Sequence, residues 1–139
     1  MGRKIALDTN IFIYALEDSG SLGKAALEIL EEIKSSTPRV FTSVLTVQEL
    51  ITGLYRDNYE EKVSDYLDFI SYNGLITLVD YTKPIALIAA QVRGTYKAIR
   101  TPDAIQIATA VFSGASEFYT ADTRLPKKID TIKIIPLVN

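Results

Sequence analysis

The chain has 139 residues, with 15 Lys and Arg against 17 Asp and Glu, a formal net charge of −2, and neither His nor Cys. The two missing residue types exclude imidazole and thiol nucleophiles, zinc sites with nitrogen and sulfur ligands, disulfide frameworks and redox dithiols. Hydrophobic residues at 47% and charged residues at 23% describe a globular chain, sized for a single domain over residues 1–139, and the slight negative charge argues against a broad basic surface for duplex DNA.

In chain order, Met1-Gly2-Arg3-Lys4 leads into a short buried strand at Ile5-Ala6-Leu7 rather than into the apolar region of a signal peptide. Apolar residues at helical spacing predict a helix over 22–33, with Glu28, Glu31 and Glu32 outside. A strand follows at Val40-Phe41, then a helix over 45–55 with the stripe Val47, Leu50, Ile51 and Leu54. The next helix, over 58–70, opens on an Asn58-x-x-Glu61 capping box, and a strand is predicted over 75–79. Thr82 caps a helix running through Ile85, Ile88, Ala89 and Val92. Thr101-Pro102-Asp103 places Thr at the cap, Pro at the first helical position and an acid in the first turn, and Gly114 is the stop. That helix, over 104–112, is apolar nearly all round and is expected at the centre of the molecule. Strands at Phe118-Tyr119 and over 132–135 complete the pattern.

Alternating strands and helices predict an α/β fold, a three-layer parallel sheet with helices on both faces, whose sites lie beyond the carboxyl ends of the strands. The longest apolar run, 85–90, falls far short of the roughly 20 residues that span a bilayer, so no membrane contact and a cytoplasmic location are expected.

Four carboxylates stand alone in apolar company. Asp8 is the only charge between Lys4 and Glu17, at the end of the first strand; Glu49 is the only one from Val40 to Tyr55; Asp103 is the only one from Thr101 to Ser116; and Asp122 follows the strand at Phe118-Tyr119. Ionised carboxylates in apolar surroundings are costly unless compensated, and hard divalent cations such as Mg²⁺ or Mn²⁺ compensate several at once through oxygen ligands. Each acid also has a purely structural reading. Asp8 can cap the following helix, Glu49 completes a Thr46-x-x-Glu49 capping pattern off the apolar stripe, Asp103 complements a helix dipole, and Asp122 suits a turn.

The segments Ile5-Ala6-Leu7-Asp8-Thr9-Asn10-Ile11-Phe12-Ile13-Tyr14, Thr42-Ser43 leading to Gln48-Glu49-Leu50, Thr101-Pro102-Asp103-Ala104-Ile105-Gln106-Ile107-Ala108-Thr109-Ala110 and Phe118-Tyr119-Thr120-Ala121-Asp122 resemble the four ordered acidic motifs of PIN-domain proteins, in particular the compact VapC-like toxins of toxin–antitoxin pairs. The resemblance covers essentially the whole chain. It implies a Mg²⁺- or Mn²⁺-dependent endoribonuclease that uses metal-activated water, with Asp8, Glu49, Asp103 and Asp122 at the acidic positions. It further implies that Asn10 orients the first Asp and that Thr120 borders the pocket. Gln106 stands where many relatives have His, which leaves its effect on substrate contacts open. An RNA substrate, a cognate antitoxin protein and a homodimer are also implied, and Tyr55, Tyr59, Tyr66 and Tyr72 offer aromatic surface for such contacts or join the core.

Arg93, Lys97 and Arg100 precede the third motif, and Arg124, Lys127 and Lys128 follow the fourth; these are candidates for holding RNA phosphates, or else solvated surface. Two other functions compete. One is a noncatalytic PIN domain that binds RNA or a protein. The other is a phospho-acceptor receiver domain, which needs paired acids after the first strand and a Lys at the end of the last, whereas Asp8 has no acidic neighbour and Lys133 falls inside the last predicted strand.

Overall fold

Short apolar runs with no polar alternation suit strands covered on both faces, and the computed structural model, which describes residues 2–138, assembles them in that way. The elements are β1 (Lys4–Leu7), α1 (Thr9–Glu17), α2 (Ser21–Ser36), β2 (Arg39–Ser43), α3 (Leu45–Arg56), a 3-10 turn at Glu60–Lys62, α4 (Val63–Ser71), β3 (Ile76–Val79), α5 (Lys83–Thr95), α6 (Thr101–Ser113), β4 (Glu117–Thr120), β5 (Lys128–Ile129) and β6 (Ile132–Pro136). The sheet order is β3-β2-β1-β4-β6-β5, parallel except for the β5–β6 pair. The two-residue β5 is too short to leave a periodic signal, so the antiparallel edge departs from the all-parallel expectation.

Strand periodicity of two divides the core. Ile5 and Leu7 of β1 face a cluster with Ile11, Phe12, Ala26, Leu30, Leu50 and Ile70 of the helices on one side. Ala6 faces a cluster with Ile85, Ala89, Ala104, Ile107 and Phe118 on the other. Phe12 and Phe118 are buried to 1% exposure or less, each contributing on the order of 2–3 kcal/mol of transfer free energy. The run from Ala104 to Ala110 in α6 is buried throughout, as its all-round apolar character predicts.

Several local signals resolve differently from the sequence reading. The Asn58-x-x-Glu61 box does not form, because Asn58 takes a left-handed φ of 61° and the chain makes a 3-10 turn before α4 begins at Val63. Arg100, not Thr101, occupies the extended N-cap position of α6, which leaves Thr101 and Pro102 inside the first turn. Thr82 does precede α5 as its N-cap, but its side chain makes no capping bond. Gly114 ends α6 at a φ of 78°, where a left-handed residue frees the last carbonyls for capping N–H groups.

The strand order reverses at β1, with β2 on one side and β4 on the other. In parallel α/β sheets the crevice outside the carboxyl ends of such strands is the natural place for a ligand. Asp8 follows β1 and Asp122 follows β4, at that place. Among the described residues no helix is long and apolar enough to cross a membrane.

Candidate active site

Asp8 fills the structural place that its sequence allows and also faces open space. It is the N-cap of α1, with Oδ1 accepting the Thr9 N–H at 2.8 Å, and it also lines an open cleft of about 460 Å³ together with Thr9, Asn10, Gln48, Glu49, Thr52 and Asp103. Its other oxygen accepts the Thr120 hydroxyl at 2.8 Å and, at a long 3.4 Å, the Asn10 amide. Asn10 and Thr120 thus both hydrogen-bond to the Asp8 carboxylate. Asn10 Oδ1 accepts the Ala121 N–H at 3.0 Å, and Thr120 Oγ1 accepts the Asp122 N–H at 3.0 Å, so the loops after β1 and β4 are laced together.

Asp8 is only 5% exposed, and no Lys or Arg pairs with it among the described residues. Burial above all, opposed by hydrogen bonding from Thr120 and the Thr9 N–H and aided by the neighbouring Asp103 and Glu49 charges, pushes its carboxyl up to about 7. Asp103, in the first turn of α6, is likewise raised, by desolvation first and then by Asp122 and Glu49, against the pull of Arg124 and Arg100. Glu49 stands exposed on α3, but not as the partner in a capping pair with Thr46. Helix α3 already starts at Leu45, Thr46 is buried within it, and the Glu49 carboxylate accepts the Thr9 hydroxyl at 2.7 Å.

Asp122 acts on Asp103 more strongly than Glu49 does, but it is already paired. Arg124 grips it through Nε at 2.9 Å and Nη2 at 3.0 Å and adds its backbone N–H at 2.9 Å, which holds the Asp122 carboxyl below its ordinary range. Asp8, Glu49 and Asp103 line the cleft; Asp122 faces Asp103 electrostatically without lining it. Among the described residues no group of three or more acidic side chains is drawn close enough to clasp one ion as it stands. The donor chemistry nevertheless fits a hard divalent cation, because the cleft offers only oxygen ligands and its most buried carboxylate has no basic partner.

The basic candidates separate. Arg100 and Arg124 lie near enough to act on Asp103 and Asp122. Arg93 instead donates from Nε to the Ile99 carbonyl at 3.1 Å, bracing the turn before α6, and Lys97 is exposed with no tie to the acids. Lys128 lies in the outermost strand and Lys127 immediately before it, remote from the switch point at β1. Of the tyrosines, Tyr55 and Tyr59 are exposed at 57% and 48%, while Tyr66 and Tyr72 pack against the core.

A set of buried hydroxyls in the floor of the site escaped the sequence reading. Thr9, Thr42, Thr46 and Gln106 hydrogen-bond to one another beneath the acids. At 1% exposure, Gln106 does not reach the surface of the cleft. The sequence signal was available: Thr42 and Thr46 are polar breaks in apolar segments, as Gln106 is in α6.

A family model of the PIN domain matches residues 5–130. Among solved structures the chain is similar to a toxin–antitoxin complex from Klebsiella pneumoniae, at 26% identity over 92% of this chain and 94% of that one, with a TM-score of 0.69. It is also similar in fold to VapBC2 from Rickettsia felis bound to a DNA fragment from its promoter, at 19% identity over 96% and 98% of the two chains and a TM-score of 0.76. A third likeness in fold is to the sarcin-ricin-loop-cleaving toxin VapC20 of Mycobacterium tuberculosis, at 20% identity over 86% and 91% of the chains and a TM-score of 0.65. No curated protein matches the chain. With the matched segment running from β1 to β5 and the acids at the switch point of the sheet, the chain belongs to the PIN-domain family.

Proposed function

We propose that the protein is a Mg²⁺- or Mn²⁺-dependent endoribonuclease that hydrolyses RNA phosphodiesters, acting as the toxin of a toxin–antitoxin pair. The observation that carries this reading is the nearly buried Asp8 carboxylate, without a basic partner, in a cleft shared with Asp103 and Glu49. Membership of the PIN family and the likeness to toxin–antitoxin complexes support it.

Asp8 and Asp103 would hold the ion most directly, with Glu49 beside them; Asp122 would join once released from Arg124. When bound, a divalent ion supplies an activated water and neutralises charge on the phosphoryl oxygens. Thr120, Asn10 and the Thr9 N–H fix the Asp8 carboxylate in place. Arg100 and Arg124 carry the positive charge closest to the acids and are the side chains best placed to meet backbone phosphates. A cognate antitoxin and a homodimeric assembly are part of the same reading, with Tyr55 and Tyr59 as exposed aromatic contacts.

One observation favours the alternative of a noncatalytic domain that binds RNA or a protein: Arg124 already neutralises Asp122, which leaves the acids short of a closed set. Incubation of single-stranded RNA with Mn²⁺ separates the two. Cleavage that is lost in both Asp8→Asn and Asp103→Asn, with circular dichroism unchanged, supports the nuclease. RNA binding with no cleavage by the unaltered protein refutes it.

A further inference from the structure

Gln106 lies on the most apolar helix of the molecule, 1% exposed, directly beneath the candidate site. Leaving a buried amide unpaired costs about 1–3 kcal/mol, and among the described residues no buried side-chain nitrogen or oxygen lacks a partner. Counting protons fixes how this pairing runs. Gln106 Oε1 accepts the Ser43 N–H at 3.3 Å, so the amide orientation is set and its nitrogen faces the hydroxyls. Nε2 then donates to Thr9 at 3.1 Å and to Thr46 at 2.9 Å.

Thr42 spends its only proton on the Leu7 carbonyl at 2.8 Å, since a carbonyl can only accept. Thr46 must therefore donate to Thr42 across their 2.7 Å contact. The Thr9 hydroxyl, receiving the Gln106 amide on one side, has two acceptors within reach, Thr46 at 3.1 Å and the Glu49 carboxylate at 2.7 Å, and its proton goes to the shorter, charged contact. Every proton in the set is assigned, and each of its side-chain polar atoms has a partner. A charge-assisted bond of this kind is stronger than its neutral counterparts, and it singles out one orientation for an exposed Glu side chain that would otherwise exchange rotamers in solvent.

We infer that Gln106 is a positioning residue that acts through the Thr9 hydroxyl to aim the Glu49 carboxylate into the cleft. Gln106 touches neither cleft nor substrate; its amide polarises Thr9, and Thr9 selects the Glu49 conformer. The consequence for metal affinity rests on the proposed function, whereas the conformational statement does not.

The test uses Thr9→Val, which keeps the shape and removes the hydroxyl; Thr9→Ser, which keeps the hydroxyl; Gln106→Leu; and the Thr9→Val/Gln106→Leu double variant. In metal-free protein, three-bond couplings of the Glu49 side chain should report one rotamer in the unaltered chain and in Thr9→Ser, and averaged rotamers in the other three. A single retained Glu49 rotamer in Thr9→Val overturns the inference. Thr9→Val decides the Thr9–Glu49 contact, and Gln106→Leu, or Gln106→Met should that variant not fold, decides the role of Gln106. With Mn²⁺ followed by titration calorimetry, Thr9→Val and Gln106→Leu should each weaken binding on the order of tenfold, as groups that orient metal ligands do. The double variant should bind no more weakly than Thr9→Val, since both act through one hydroxyl; additive losses overturn the relay. An unaltered chain that binds no Mn²⁺ refutes the proposed function, while the couplings still decide the role of Gln106.

Discussion

Replacing Asp8 by Asn isolates the cost of keeping a carboxylate under the cleft. Burial moves the Asp8 carboxyl from 3.8 to about 7 in the fold. Below pH 3.8 the group is protonated in both folded and unfolded chains and costs nothing extra. Between the two values the unfolded chain releases its proton while the fold retains it, so stability falls as pH rises through this window and levels off above about 7. At about 1.36 kcal/mol per pH unit, a separation of about three units corresponds to roughly 4 kcal/mol lost by pH 8, an upper figure for so buried a site.

The Asp8→Asn variant removes that ionisation. It also sets an NH₂ group against Thr120 and Asn10, a fixed penalty of about 1–2 kcal/mol that does not vary with pH. Urea unfolding in metal-free buffer at pH 4, 5.5, 7 and 8 is the assay. The variant should be below the unaltered protein by about 1 kcal/mol at pH 4 and above it by about 2–3 kcal/mol at pH 8. A difference between the two proteins that stays within about 1 kcal/mol across the series would refute the reasoning.

Further outcomes follow from the same geometry. Mn²⁺ added at pH 8 should raise the melting temperature of the unaltered protein but not that of Asp8→Asn, because only the former couples folding to the ion; equal shifts in both would place the ion elsewhere. Arg124→Gln should return the Asp122 carboxyl upward toward its ordinary range, visible in the carbon chemical shift of that group as pH is varied, since the guanidinium is what holds it down. Gly23→Ala should destabilise the fold by about 3 kcal/mol in urea unfolding, because a Cβ there would lie 1.8 Å from the Asp18 carbonyl oxygen and 2.9 Å from that of Tyr14, both backbone atoms. Gly114→Ala should cost about 1 kcal/mol in the same measurement, the strain of a φ of 78° in a residue bearing Cβ.

Much of the fold was legible because burial on both faces of a parallel sheet writes itself as unbroken apolar runs, as at Ile5-Ala6-Leu7, and because α6 is apolar on every side. The acids were legible for a related reason: a lone charge in such a run demands explanation. Asp8, Glu49 and Asp103 do line one cleft. Asp122 does not, and its partner Arg124 is two residues away, where a turn brings the guanidinium back onto the carboxylate in a way that spacing alone does not reveal. The capping signals at Asn58 and Thr101 failed because Asn58 turns left-handed ahead of a 3-10 turn and Arg100, one residue early, takes the extended position before α6. The hydroxyl set beneath the cleft was invisible for another reason. Thr9 and Gln106 are 97 residues apart in sequence, and a hydrogen bond at that separation leaves no local pattern.

The hydrogen bond from Thr120 to Asp8 spans 112 residues of chain, and this has a consequence for how the protein is made. At roughly 5–20 residues per second of synthesis, the two ends of that bond leave the ribosome on the order of 5–20 s apart. During that interval β1 can pair with β2 but lacks β4, so one side of the central strand stays open and the acids are not yet assembled around their loops. The cleft residues are all made by position 103, but Asp8 lacks its Thr120 partner until β4 follows. A product truncated before β4 would carry the open strand edge, and with it a hazard of aggregation, and would lack the bond that holds Asp8 in place.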